Sequence, residues 1–406
     1  MTQLRLSPTP LPDLPSRSAG TGAQVTHFLT LPDYLDPSDM EFLFQCREPR
    51  ATWETLPREI VDGDIVEILP GTIRLSPRAV VHGPYSPRIL APESQSKVIS
   101  LETGAVSMGD TGVILDTGVL HLDLGALDKD PETQPHPAQF PPQATLVWAL
   151  TCVRERGEAP MRDVGDRDGL ARIFAEGMPV REEFRQVTSL VSIARFLEGT
   201  AHFDAVLGGG AERYRSVAPD PAANVELTVY SDVWLDPQAT LRLAQLVAPT
   251  MQYMPTEVEW DGPNLEAAQE VRDELVALAP DFLEKLHRTA DEFDAQTLAE
   301  PEAVTAYGLV YEASKGDLVT VEVAGTQWLP PILENIEWAK NGVIEYRISW
   351  IPDDLEDWHR ELPSFELRQR RTRITPLVRS LTRSLYSATA GEVVDQDGFL
   401  RDPASL

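Results

Sequence analysis

Asp33-Tyr-Leu-Asp-Pro37 and Asp232-Val-Trp-Leu-Asp-Pro237 repeat one arrangement at two places in a chain of 406 residues. Each joins an extended apolar run to an amphipathic one. An aspartate before a helix accepts the N–H groups its first turn leaves unbonded, and a proline, lacking an N–H, suits the first helical position. A duplicated domain would produce this echo, and so would two independent strand-to-helix junctions. The flanking sequences do not align convincingly, so independent junctions are expected.

Outward from these junctions, the first 142 residues hold eighteen of the 34 prolines, which disfavours long helices there. Residues 1–24, with Pro8, Pro10, Pro12 and Pro15, read as a flexible arm, and 25–142 as a strand-rich domain. Strands are expected at Ile65–Leu69, Ala79–His82, Val98–Leu101, Gly112–Leu115 and Val119–Leu124. Asp130 to Pro142 reads as a linker.

Residues 143–406 read as an α+β region with a sub-boundary near 255. Strands are expected at Thr145–Val153, Phe203–Leu207, Val225–Tyr230, Tyr307–Tyr311, Leu318–Val323 and Val343–Trp350. Helices are expected at Asp168–Glu176, Arg181–Leu197 and Pro237–Val247, with a kinked stretch over Asn264–Leu298. A short helix is expected near Ile332–Ala339, and a final one from Pro376, capped by Thr375. The expected class is α+β, with a strand-rich N-terminal part and a mixed sheet-plus-helix C-terminal part.

Composition bounds the function. Hydrophobic residues make up 42% and charged residues 24%, as in globular proteins. A net charge of −29 repels nucleic acid and anionic lipid, so neither is an expected partner. The skew of 30 Arg to 5 Lys fits codon bias in a GC-rich bacterial genome. Cys46 and Cys152 lie in apolar runs, as buried reduced thiols do. The start has no apolar signal segment, and no apolar run approaches a membrane span, so a cytoplasmic protein is expected.

Catalytic motifs are missing from the sequence. Gly208-Gly209-Gly210 lacks the spacing of a phosphate loop and reads as a turn. The seven histidines form no HExxH or Cys/His cluster, so no metal is expected, and no cofactor either. His202 and Asp204 share one side of a strand and read as a hydrogen-bonding pair at a sheet edge. Neither a GxSxG elbow nor a kinase signature occurs.

Charge is the constellation that remains. Leu367 to Ala390 hold no acid and six arginines, Arg368, Arg370, Arg371, Arg373, Arg379 and Arg383, so the other 382 residues carry −35. Residues 256–302 carry 14 acids against three cations, among them Glu266, Glu270, Asp273, Glu274, Asp281, Glu284 and Asp291. The arginines could clamp an anion, bind an acidic partner, or pair with acids of the same chain, and self-pairing is the expectation. The functional expectation is a non-enzymatic macromolecule-binding factor, immunity-like or accessory, with a protein partner that is basic if the acidic stretch is the docking surface. The alternatives are an enzyme acting on a phosphate-containing or anionic small molecule through the arginines, and a self-assembling structural protein.

Overall fold

The computed structural model describes residues 5–12, 23–33, 35–62, 65–89, 114–116, 119–121, 140–161, 165–205, 214–255, 285, 288, 305–314, 316–340 and 342–406. The fold is α+β, with sheets in both parts of the chain. In chain order the first part holds β1 (Arg5–Pro8), β2 (Pro10–Leu11), β3 (Gln24–Leu31), α1 (Pro37–Gln45), β4 (Thr52–Thr55), β5 (Arg58–Asp62), β6 (Ile65–Leu69), β7 (Gly71–Ser76) and β8 (Ala79–Ile89). It continues with β9 (Ile114–Asp116), β10 (Val119–His121), β11 (Leu146–Val153), α2 (Leu170–Ile173), α3 (Arg181–Phe196), β12 (Thr200–Asp204) and β13 (Tyr214–Val217). The second part holds β14 (Leu227–Ser231), α4 (Pro237–Gln245), β15 (Gln252–Tyr253), β16 (Ala306–Ser314), β17 (Asp317–Thr326) and β18 (Val343–Ile351), then α5 (Leu355–Trp358), α6 (Phe365–Thr389) and β19 (Glu392–Asp395).

Two boundaries differ from the sequence reading. Pairing joins β11 to both β3 and β8, so one sheet runs across the division expected at residue 142. The main sheets part between Val217 and Leu227 instead. The arm is also tied down in part: β1 pairs with β6, β2 pairs with β8, and Leu11 is fully buried. The strand expected at Val98–Leu101 and the kinked helix at Asn264–Leu298 lie largely outside the described residues.

The echo of the two junctions proves to be a repeat. Strand order β12-β3-β11-β8-β7-β4 in the first lobe matches β19-β14-β18-β17-β16-β15 in the second. Registers agree pair by pair. Thr30 faces Thr200 as Tyr230 faces Glu392, and Leu29 faces Trp148 as Val229 faces Tyr346. Likewise Ile73 faces Val81 as Leu309 faces Val321, and Trp53 faces Ile73 as Tyr253 faces Leu309. A one-residue slip would turn every side chain to the other face, so this agreement is a strong constraint.

Local chemistry repeats as well. Asp36 caps α1 through the Ser38 N–H, and Asp236 caps α4 through those of Gln238 and Ala239. The Gln45 side-chain amide donates to the Ala51 carbonyl at 3.0 Å, as that of Gln245 does to Met251. After α3 and α6, Glu198 and Ala390 adopt φ of 54° and 55°, each followed by a glycine. A Cβ on Gly199 would sit 2.6 Å from the Thr30 carbonyl oxygen, and one on Gly391 only 2.0 Å from that of Tyr230. The chain therefore runs from helix into strand through a space that admits backbone alone.

Each sheet carries its helices on one face. Leu29, Trp148 and Phe203 of the first sheet share a core with Leu190 and Ala194 of α3. Val229, Tyr346 and Ile348 of the second share one with Val378, Leu381 and Leu385 of α6. The opposite face of the second sheet, at Thr228, Tyr230 and Arg347, meets Cys46 and Arg47 after α1 and Thr188 and Ser189 of α3 across a cleft. The order of layers is therefore sheet, helices, sheet, helices. The first sheet's other face is closed: Phe28, Val147 and Ala149 pack with Leu11, Tyr85, Phe140 and Tyr214.

The lobes are clamped by the turn after β19. Asp397 accepts bonds from Arg195 and Ser192 of α3 and from Asn224, and its backbone carbonyl accepts from Arg47. Phe399, carried by the same turn, is buried in the first lobe's core against Phe196. Arg195 itself is buried and also bonds Asp168.

Two stability predictions follow from these contacts. Gly391→Ala should cost more than about 2 kcal/mol in denaturant unfolding, because it adds a clash at a positive-φ site. Gly325→Ala, with nothing within 4 Å of the new Cβ, should stay within about 0.5 kcal/mol. Asp397→Ala should cost about 2–4 kcal/mol, because it takes one of two carboxylates from the buried Arg195 guanidinium together with the bonds from Ser192 and Asn224.

Candidate functional site

The arginine segment lies wholly within α6. Ser364 caps the helix by accepting the Leu367 N–H at 3.2 Å, and Leu367, Ile374, Val378, Leu381 and Leu385 form its buried stripe. The helix thus begins eleven residues before the expected start at Pro376. Pro376 lies inside it on the exposed side, and Thr375 donates to the Arg371 carbonyl at 2.9 Å rather than capping. A helix survives an internal proline when packing on both sides of it holds the axis, and here the buried stripe runs through it.

The six arginines divide into two groups. Arg370 pairs with Asp317 at 2.9 Å and with Asp353, whose carboxyl its bond holds below the usual range. Arg371 is buried and pairs with Asp220, in the connection between the lobes. These two meet the expectation of self-pairing. Arg368, Arg373, Arg379 and Arg383 are exposed and form no ion pair among the described residues. Arg368, Arg379 and Arg383 fall within about 60° of one another around the helix axis, given 100° per residue. Glu266, Glu270, Asp273, Glu274, Asp281, Glu284 and Asp291 lie outside the described residues.

The repeat gives this exposed face a counterpart. Matching the inward residues Val187, Leu190 and Ala194 of α3 with Val378, Leu381 and Leu385 of α6 sets Thr188 against Arg379 and Ser192 against Arg383. Cys46, after α1, matches Leu246, after α4. In the first lobe these positions are covered: Thr188 lines the interlobe cleft, Ser192 bonds Asp397, and Cys46 is 1% exposed. In the second lobe Leu246 is 80% exposed, and Arg379 and Arg383 are exposed as well.

Other arginines, which no motif marks, meet at the interlobe cleft. A cavity of about 480 Å³ is lined by Arg47, Arg185 and Arg347, with Glu48, Glu226 and Asp395. A second cavity of about 280 Å³ shares Glu226, Arg347 and Gln396 with it and reaches Trp358 and His359. These arginines come from three elements of both lobes, so only the folded chain brings them together.

The buried ionisable groups are engaged elsewhere. Glu183 accepts Arg156 at 2.6 Å and faces His27 Nε2 at 3.4 Å, while His27 Nδ1 accepts the Asp204 N–H at 3.2 Å. That pattern puts the imidazole proton on Nε2. Burial holds the His27 pKa below its ordinary value. Burial opposes ionisation of Glu183 too, yet the bonds from His27 and Arg156 keep its carboxyl below the usual range. His202 and Asp204 share a buried face, at 3.1 Å from Thr30 Oγ1 and 2.9 Å from Arg154. Their strand lies between β13 and β3 rather than at an edge. Burial pushes the Cys46 thiol up to about 11 and raises Cys152 as well, which disfavours a thiolate. Among the described residues no group of His, Cys, Asp or Glu is arranged to hold a metal ion, and no helix is long and apolar enough to cross a membrane.

Comparison with protein-family models, with curated proteins and with solved structures gave no match.

The His27 geometry sets a pH dependence. A histidine held neutral in the native state binds its proton only on unfolding, so stability falls as pH drops below the unfolded value of 6.5. Tm should fall on acidifying from about pH 7 to 5.5, with a His27 share of up to about 1.4 kcal/mol per pH unit. The measurement is the slope of Tm against pH, which His27→Gln should flatten; the half-buried His82 keeps its share in both proteins.

Proposed function

We propose that this protein is a non-catalytic binding factor that docks an acidic protein on the outer face of α4 and α6. One observation carries the reading: the matching face of the first lobe is already occupied by a folded sheet of the same chain, whereas on this one Leu246, Arg379 and Arg383 are exposed and the two arginines form no ion pair among the described residues. Its chemistry suits a carboxylate-bearing partner. Arg379 and Arg383 stand where Thr188 and Ser192 receive the second lobe, and Ser192 there bonds the carboxylate of Asp397. Leu246 supplies an apolar contact at the position of Cys46. Within a docked interface the exposed arginines pair with acidic groups at short range, against the long-range repulsion of a chain whose remainder carries −35.

The enzymatic reading through the same arginines has less support. Arg370 and Arg371 are spent on Asp317, Asp353 and Asp220, and Arg371 borders a recess of only about 10 Å³. The other four are exposed on α6.

The test places a photo-reactive residue at position 246 and irradiates the protein in extract of the cells that make it. One acidic protein should cross-link there. The Arg379→Glu/Arg383→Glu variant should weaken its binding at least tenfold, roughly as for close charge pairs. Binding should also weaken in about 0.5 M salt, where screening is strong. Cross-linking that the double reversal leaves unchanged would overturn the reading. Cross-linking only to a second copy of this chain would favour self-assembly instead.

A further inference from the structure

We infer that the interlobe groove is a binding site for a small anion with several oxygens, a carboxylate or a phosphate, held by Arg47, Arg185 and Arg347. This site is distinct from the α4/α6 face and does not depend on it. The argument begins with donors. A guanidinium offers five N–H groups in a planar fork, matched to carboxylate and phosphate oxygens. Among the described residues, Arg185 donates no hydrogen bond, its nearest acid being Glu48 at 3.7 Å. Arg47 donates one, to the Asp397 carbonyl at 2.6 Å. Arg347 holds Glu345 at 2.5 Å and stands 3.9 Å from Glu226. Most of the N–H groups on the three therefore remain for a ligand.

The acids in the wall offset them less than their number implies. Asp395 Oδ1 accepts the N–H groups of Asp397 and Phe399, and its Oδ2 accepts Arg401 at 2.8 Å, outside the cavity lining. Glu226 Oε2 accepts Ser349 Oγ at 2.8 Å. Burial raises the Glu48 pKa, which weakens its hold on the charge it carries. Glu48 Oε1 also accepts Gln186 at 3.1 Å, which occupies part of its acceptor capacity.

Size and walls fit a small molecule. The cavities of about 480 and 280 Å³ adjoin at Arg347, within the range of small-ligand sites. Pro330 and Pro331 border one cavity, and Leu355 and Trp358 the other, so both offer apolar surface to a group carried by the anion. Because Arg47 and Arg185 belong to one lobe and Arg347 to the other, a bound anion bridges the lobes and stabilises their native arrangement.

Thermal unfolding with inorganic phosphate and with citrate, each against potassium chloride at matched ionic strength, tests the site. At about 10 mM, at least one anion should raise Tm by about 2 °C or more beyond the chloride control, as mass action requires for a native-state ligand. Arg185→Ala and Arg347→Ala should each abolish the excess; both side chains are about half exposed, so neither truncation empties a core. Arg74→Ala, at a surface pair with Glu54, should leave the excess intact. A response to phosphate alone or citrate alone assigns the head group. Equal shifts from chloride, no shift with either anion, or an excess surviving both groove variants would overturn the proposal.

Discussion

One carboxylate, that of Asp397, holds the molecule's two halves in a single arrangement. It gathers Arg195, Ser192 and Asn224, while its own carbonyl binds Arg47. A buried charge of this kind is costly unless every lone pair is used, and here neighbours from both lobes use them. Burial alone would favour the neutral acid, but the Arg195, Asn224 and Ser192 bonds hold Asp397 below the usual carboxylate range. The same turn seats Phe399 in the first lobe's core. Specific polar bonding and apolar burial thus act through one short segment, and the groove beside it inherits its shape from them.

The repeat shows how one backbone plan supports two surfaces. Inward positions stay apolar in both lobes, as at Ile73 and Leu309 or Val81 and Val321, because each must fill the space between sheet and helix. Positions outside that space are free to diverge. One inward position departs from this rule: His27, on the same face of β3 as Leu29, stands where the second lobe has Leu227, so the buried His27–Glu183–Arg156 group has no counterpart there. On α6 the divergence runs toward charge, and on α3 toward small polar residues that a neighbouring sheet can cover.

Much of this frame was legible in the sequence where one local rule dominated. The apolar run ending at Val153 is β11, and the periodic stretch from Arg181 is α3, although Phe184, which helical spacing groups with Val187 and Val191, is exposed. Asp236 and Pro237 open α4 as capping chemistry requires. Where two rules competed, the local signal misled. Thr375-Pro376 has the form of a helix start, but the buried stripe from Leu367 carries α6 through it. The repeat was hidden for a different reason: its lobes share register and burial more than residue identity, as Trp148 and Tyr346 illustrate. Arg47, Arg185 and Arg347 carried no signal at all, because their proximity arises only when one lobe settles on the other.

The sealed outer face of the first sheet gives this stack a polarity. Leu11, Tyr85, Phe140 and Tyr214 close over Phe28, Val147 and Ala149, where an unsealed sheet would offer a seat to another helical layer. Units that associate in one repeated sense, without a closing rotation, can in principle add to each other without limit. Solenoid proteins stop such growth with terminal units whose outer faces no longer match. Here Leu11, Tyr85, Phe140 and Tyr214 fill one stretch of the first sheet's outer face, which sets the two ends of the stack apart.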